Sequence, residues 1–83
     1  MTKEALDVMN KFERKYKDLT VMRIAKYDKT RYLVLAQEDP KKVSMNGGWY
    51  GLDMTSGLVY SYSPVMEIKK FNEIVSNNTI YKR

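Results

Sequence analysis

The sequence predicts an α+β domain with the order helix, antiparallel hairpin, loop, antiparallel hairpin, helix, and with both helices packed on one face of a four-stranded sheet. Three observations carry that prediction. Apolar residues recur at three-and-four spacing only near the two ends of the chain. Between those ends lie four short runs of β-branched, aromatic and aliphatic residues joined by turn chemistry. Ser63-Pro64 then marks a helix start directly after the fourth run, because Ser caps well and Pro loses nothing at the first helical position.

Each element follows from its residues. Over residues 3–17, Ala5, Val8, Met9, Phe12 and Tyr16 share one helical face with Leu19 beyond, while Lys3, Asn10, Lys11, Arg14 and Lys17 take the other. Thr2 stands at the N-cap position. Residues 20–27 and 31–37 read as a hairpin around Asp28-Lys29-Thr30. In the second of these strands Tyr32, Val34 and Ala36 face one way and Leu33 and Leu35 the other, the mark of a central strand covered on both sides or of an interface on one. Pro40 and Asn46-Gly47-Gly48 punctuate the long loop that follows.

The second hairpin pairs WYGLD with LVYSY around Met54-Thr55-Ser56-Gly57. Asp53 is placed to accept backbone hydrogen bonds at the turn entry, and Gly57 to take the left-handed conformation that closes it. Tyr50, Leu52, Tyr60 and Tyr62 are expected on the core face. A helix over 64–76 is expected to bury Val65, Ile68, Phe71, Ile74 and Val75, with Asn77-Asn78 as its stop. Residues 80–83 either dock or fray.

Eighty-three residues make a single domain, 1–83, with the last four to six residues its least certain part. The absence of Cys and His removes disulfides, thiolate chemistry, the commonest general base and the usual zinc ligands. No motif points to a cofactor or a metal. The charged N-terminal stretch does not read as a signal peptide, and no apolar run is long enough to span a bilayer. A cytoplasmic setting in a bacterial cell, away from membranes, is the expectation.

The chain carries a net charge of +5, unevenly spread. Residues 1–42 contribute +4 and residues 69–83 contribute +3, whereas residues 43–68 hold no basic residue and two acids, Asp53 and Glu67. The chain is basic at both ends and aromatic in its middle.

Trp49-Tyr50-Gly51-Leu52-Asp53-Met54-Thr55-Ser56-Gly57-Leu58-Val59-Tyr60, followed by Tyr62-Ser63-Pro64, resembles small uncharacterised proteins of phages and integrated mobile elements of Gram-positive bacteria. Those proteins share an aromatic-x-apolar-Asp-x-x-(Thr/Ser)-Gly hairpin and then an aromatic-Ser-Pro helix. Similar strand-turn segments occur in immunity proteins of bacterial toxin systems. The resemblance covers about a quarter of the chain, all of it in the C-terminal half. It implies an accessory role aimed at a host, a rival phage or a defence system, and it carries over no catalytic residue.

Three candidate sites compete. Asp53 with Glu67-Ile68-Lys69 echoes the acid and E-x-K of metal-dependent nucleases, but that chemistry needs E-x-K on a strand beside the first acid, and here it falls on a helix. Lys11, Arg14, Lys15 and Lys17 on the first helix, with Arg23, Lys26, Lys29 and Arg31 on the first hairpin, could track phosphates. The aromatics are not interleaved with them, and Glu13, Asp18 and Asp28 interrupt the run. Met45, Trp49, Tyr50, Tyr60 and Tyr62 are of the residue types enriched at protein interfaces, against the plain alternative that a small domain needs half of them for its core.

The functional expectation is therefore a non-enzymatic phage or mobile-element accessory protein. It binds and inhibits or modulates a bacterial protein, such as a component of a host-defence or competing system. A small basic nucleic-acid-binding protein and a toxin-immunity-like inhibitor are the alternatives, and self-association as a homodimer stays open.

Overall fold

The structure, a computed structural model, describes residues 2–38 and 47–83. Its elements are α1 (Lys3–Lys15), β1 (Thr20–Lys26), β2 (Arg31–Gln37), β3 (Gly47–Asp53), β4 (Val59–Ser61), a 3-10 turn (Pro64–Glu67), α2 (Ile68–Asn77) and β5 (Thr79–Lys82). The strands form one antiparallel sheet in the order β4-β3-β2-β1-β5. The class is α+β, as the sequence predicts, with two differences.

The first difference is a fifth strand. The C-terminal tail docks as β5 along β1, with Arg23 opposite Lys82 and Ile24 opposite Tyr81. Lys26 N–H donates to the Asn78 carbonyl at 2.9 Å and Arg83 N–H to that of Met22 at 2.9 Å. Ile80 and Tyr81 pack against the main core, which gives the tail an apolar reason to stay. Because β4 and β5 run in the same direction at opposite edges, α2 serves as a crossover between them.

The second difference is that the helices cover opposite faces. Val8 and Phe12 of α1 pack with Ile24, Tyr32, Val34, Ala36, Leu52 and Val59. Phe71 and Ile74 of α2 pack with Ala25 and Leu33 instead. The register explains the division: Ile24, Val34 and Tyr50 lie in one cross-strand row, Ala25, Leu33 and Gly51 in the next, and neighbouring rows point to opposite faces. The apolar character of β2 on both sides comes from this sandwiching.

Local chemistry sets the boundaries. The Thr2 hydroxyl accepts from Ala5 N–H at 3.2 Å and caps α1. Asp28 Oδ1 accepts from the N–H of Thr30 and Arg31 at 3.0 and 2.8 Å, and Asp53 Oδ1 from Thr55 N–H at 2.8 Å, so each hairpin turn is held by an Asp side chain. Gly57 has φ +78°, the left-handed value its turn requires. Pro64 begins the second helical segment as expected, although Ser63 makes no side-chain capping bond.

The α1 face holds the larger core. Val8, Phe12, Ile24, Val34 and Leu52 are completely shielded there, and each such side chain contributes about 1.5–3 kcal/mol of burial free energy. Tyr50 joins this side, its ring 5.4 Å from Phe12 and 5.3 Å from Tyr16.

Candidate interaction surface

On the α2 face an aromatic row runs from the sheet to the helix. Trp49 meets Phe71 edge-on at 5.0 Å, Tyr62 stacks on Phe71 at 6.1 Å, and Tyr27 meets Tyr62 at 6.5 Å. The register that pairs Leu52 with Val59 and Gly51 with Tyr60 puts Tyr60 on the α2 side. The core partner of Leu52 is accordingly Val59, and Tyr60 and Tyr62 do not share the face of Tyr50 and Leu52. A β-carbon on Gly51 would come within 2.2 Å of the Tyr60 ring, so the ring lies flat across the space this glycine leaves.

A polar knot closes the end of the row. Glu67 accepts hydrogen bonds from the hydroxyls of Tyr62 at 3.0 Å and Tyr27 at 3.3 Å. Partial burial, and then the bond to Glu67, push the Tyr62 hydroxyl up to about 12. The Tyr27 ring also carries two cations, Lys70 at 4.6 Å and Arg31 at 4.8 Å. The nearby Tyr27 hydroxyl raises Lys70 above its ordinary value. Arg31 is engaged by Asp28, its Nε and Nη2 both 2.6 Å from Oδ2, and that pairing with Thr30 N–H takes the Asp28 carboxyl down to about 2.

Just outside this knot the 3-10 turn and the first residue of α2 leave apolar side chains in solvent. Val65 is 79% exposed and Ile68 52%, where the sequence pattern expects both to be buried. The reason lies at the change of pitch. A 3-10 turn advances by three residues per turn and the α-helix by 3.6, so Val65, inside the 3-10 turn, falls out of phase with Phe71 and Ile74, while Ile68, the first residue of α2, is left exposed at the helix start. They line a shallow depression of about 440 Å³ with Glu67, Lys69 and Lys70. The depression presents an apolar floor and a rim in which Lys69 and Lys70 outnumber the one carboxylate, Glu67, whose oxygens accept from two tyrosine hydroxyls.

The residues singled out from the sequence scatter. Trp49, Tyr60 and Tyr62 come together on the α2 side, Tyr50 sits opposite, and Met45 lies outside the described residues. Among the basic residues, Lys11 reaches the Met54 carbonyl at 3.4 Å, Lys26 pairs with Glu4 at 2.8 Å, and Arg31 pairs with Asp28. Arg23 falls in the cross-strand row next to that of Ile24, on the face away from α1. Arg14, Lys15 and Lys17 are exposed at the end of α1, and Lys29 is exposed at the first turn. Asp53 is spent on its own turn and Glu67 on the tyrosines, and among the described residues no three acidic side chains converge as a metal site would require. No helix among these residues is long and apolar enough to cross a membrane.

Comparison with known proteins adds nothing to the geometry: no family model, curated protein or solved structure matches the chain.

Proposed function

We propose that this chain is a non-enzymatic binding protein that acts by occupying a surface of another protein through the Val65–Ile68 depression and its lysine rim. The observation that carries the reading is the exposure of Val65 and Ile68 beside a helix whose own docking is completed by Phe71 and Ile74. Exposed apolar side chains grouped in a concave patch are a feature of protein contact sites. Lys69 and Lys70 select an acidic segment with an apolar anchor as the occupant, since like-charged surfaces are repelled and opposite ones steered in. The resemblance of the second hairpin to phage and mobile-element proteins supports a bacterial protein as the target, a component of a defence or competing system, with inhibition by occlusion as the mode of action.

The test is affinity capture from bacterial lysate, with nuclease treatment and washes at low and high salt, run in parallel for the native chain and Val65→Glu/Ile68→Glu. A protein retained through nuclease and salt by the native chain and lost by the double variant is the expected result. Recovery of nucleic acid alone, released by salt, would replace this reading with phosphate binding by Arg14, Lys15 and Lys17. A protein partner held equally by both chains would move the contact elsewhere.

A further inference from the structure

We propose that β4 is a self-pairing edge, through which two copies of this chain join antiparallel into one continuous sheet. The argument begins with the backbone. Asp53 N–H donates to Leu58 O at 2.9 Å and Tyr62 N–H to Trp49 O at 3.0 Å, which frames the β3–β4 ladder. Antiparallel strands alternate inward and outward bonding. Leu58, Tyr60 and Tyr62 therefore turn their N–H and C=O groups toward β3, and Val59 and Ser61 turn theirs to the free edge. This outward pattern is self-complementary. A second copy related by a two-fold axis at Tyr60 would set Val59 against the partner's Ser61 and Ser61 against the partner's Val59. That arrangement makes four hydrogen bonds with no shift of either chain.

The two edges of the sheet differ in how they are guarded. Natural edges are commonly protected by charge, proline or a bulge. The β5 edge ends in Lys82-Arg83, and its pairing with β1 is broken by a register shift between Ile24 and Ala25. The β4 edge has neither device. Residues 54–65 contain no charged side chain in a chain of net charge +5. Two cationic copies thus meet there with the least repulsion. Leu58, 55% exposed, and Tyr60, 37% exposed, flank the ladder with apolar surface on the α2 side. Across the two-fold axis the two Tyr60 backbones would form a direct non-hydrogen-bonded pair, the closer kind of cross-strand pair.

The consequence is geometric. A two-fold axis perpendicular to the sheet keeps both α2 faces on the same side, so the pair presents two Val65–Ile68 depressions to one partner. Two linked contacts bind more tightly than either alone, by effective concentration. The pairing itself does not depend on those depressions being binding sites.

Sedimentation equilibrium from about 10 μM to 1 mM, a range set by the modest energy of a four-bond ladder, tests the pairing. The native chain should pass from monomer to dimer. Ser61→Pro deletes an outward N–H and leaves the inward ladder intact, so this variant should stay monomeric with an unchanged low-concentration melting temperature. Should Ser61→Pro unfold, Tyr60→Lys tests the same edge by placing two like charges across the axis. Because the chain has no cysteine, Tyr60→Cys reports the register. Cα atoms in such a pair lie about 4.5 Å apart, within disulfide reach. Oxidised glutathione should convert it to a linked dimer, while Leu6→Cys on α1, at a position more exposed than Tyr60, should not link. A native chain that is monomeric at every concentration, a Ser61→Pro or Tyr60→Lys chain that still dimerises, or equal linking of both cysteine variants would overturn the proposal. Val65→Glu/Ile68→Glu should dimerise normally, which separates a failure here from a failure of the binding reading.

Discussion

On the α1 face, Val8 and Phe12 are sealed from solvent beneath a helix of 13 residues, whereas on the α2 face Phe71 and Ile74 cover the smaller pair Ala25 and Leu33, and Val65 of the preceding turn and Ile68 at the helix start stay outside. Both helices are nevertheless pinned by the same device, a glutamate near the helix start that accepts from a tyrosine of the other layer. Glu4 of α1 accepts from the Tyr32 hydroxyl and pairs with Lys26, and Glu67 before α2 accepts from Tyr62 and Tyr27. The difference teaches where the core is thick and where it is thin, with the proposed binding surface on the thin side. One face holds the larger sealed core, and the other retains enough contact to hold a helix in place while leaving apolar side chains exposed.

The largest test of that division is a pair of truncations. Phe12→Ala empties the sealed core and should cost about 3–5 kcal/mol, a large part of the 5–15 kcal/mol that holds a small domain together. Phe71→Ala removes a ring of the same size at the margin of a thinner core, whose rim can collapse, and should cost about 2–3 kcal/mol. Urea titration of both variants reads the difference. Equal losses would mean that the α2 face is as much a folding core as the α1 face.

A smaller effect is expected at the rim of the α2 face. Gly51→Ala introduces a methyl group into the Tyr60 ring. Tyr60 is partly in solvent and can swing away, so the cost should be about 1 kcal/mol and should depend on the ring. In a double-mutant cycle with Tyr60→Ala the alanine at 51 should become neutral or favourable, because strand interiors prefer a side chain to none. Additive losses in the cycle would show that Gly51 is required by its backbone and not by the ring across it.

Much of this architecture is legible in the residues, and the exceptions have physical causes. The two Asp-held turns, the Thr2 cap, the amphipathic α1 and the left-handed Gly57 are local, and each is decided by neighbours within four positions. What escaped is long-range or a matter of phase. The tail Thr79-Ile80-Tyr81-Lys82 is too short to declare itself a strand without the β1 edge to dock on. A three-residue β4 offers no alternation strong enough to say that Val59, and not Tyr60, meets Leu52. Val65 and Ile68 fit an apolar stripe if the segment is α-helical throughout, but the 3-10 pitch turns Val65 outward and Ile68 stands exposed at the very start of α2. The exposed pair that carries the proposed binding surface was therefore hidden by the very pattern that predicted its helix.

The mildest test compares the two tyrosine pins through pH. Burial, followed by the bond to glutamate, pushes both the Tyr32 and the Tyr62 hydroxyls up to about 12, above the value near 10 of an unfolded tyrosine. A raised folded pKa means that the native state holds the proton more tightly. The contribution of each pin is thus complete below pH 10 and is lost as pH rises from about 10 through 12. Tyr32 faces Glu4, with Lys26 beside it, and is buried; Tyr62 faces Glu67, with Tyr27 and Tyr60 near, and is only partly buried, where solvent screens more of the effect. Melting temperatures taken from pH 8 to 12 should fall more steeply above pH 10 for the native chain than for either Phe variant. Tyr32→Phe should flatten the fall more than Tyr62→Phe. Titration of the lysines is common to all three chains, so the comparison of slopes isolates the hydroxyls. A greater flattening by Tyr62→Phe would place the tighter pin under α2 and reverse the order of the two faces.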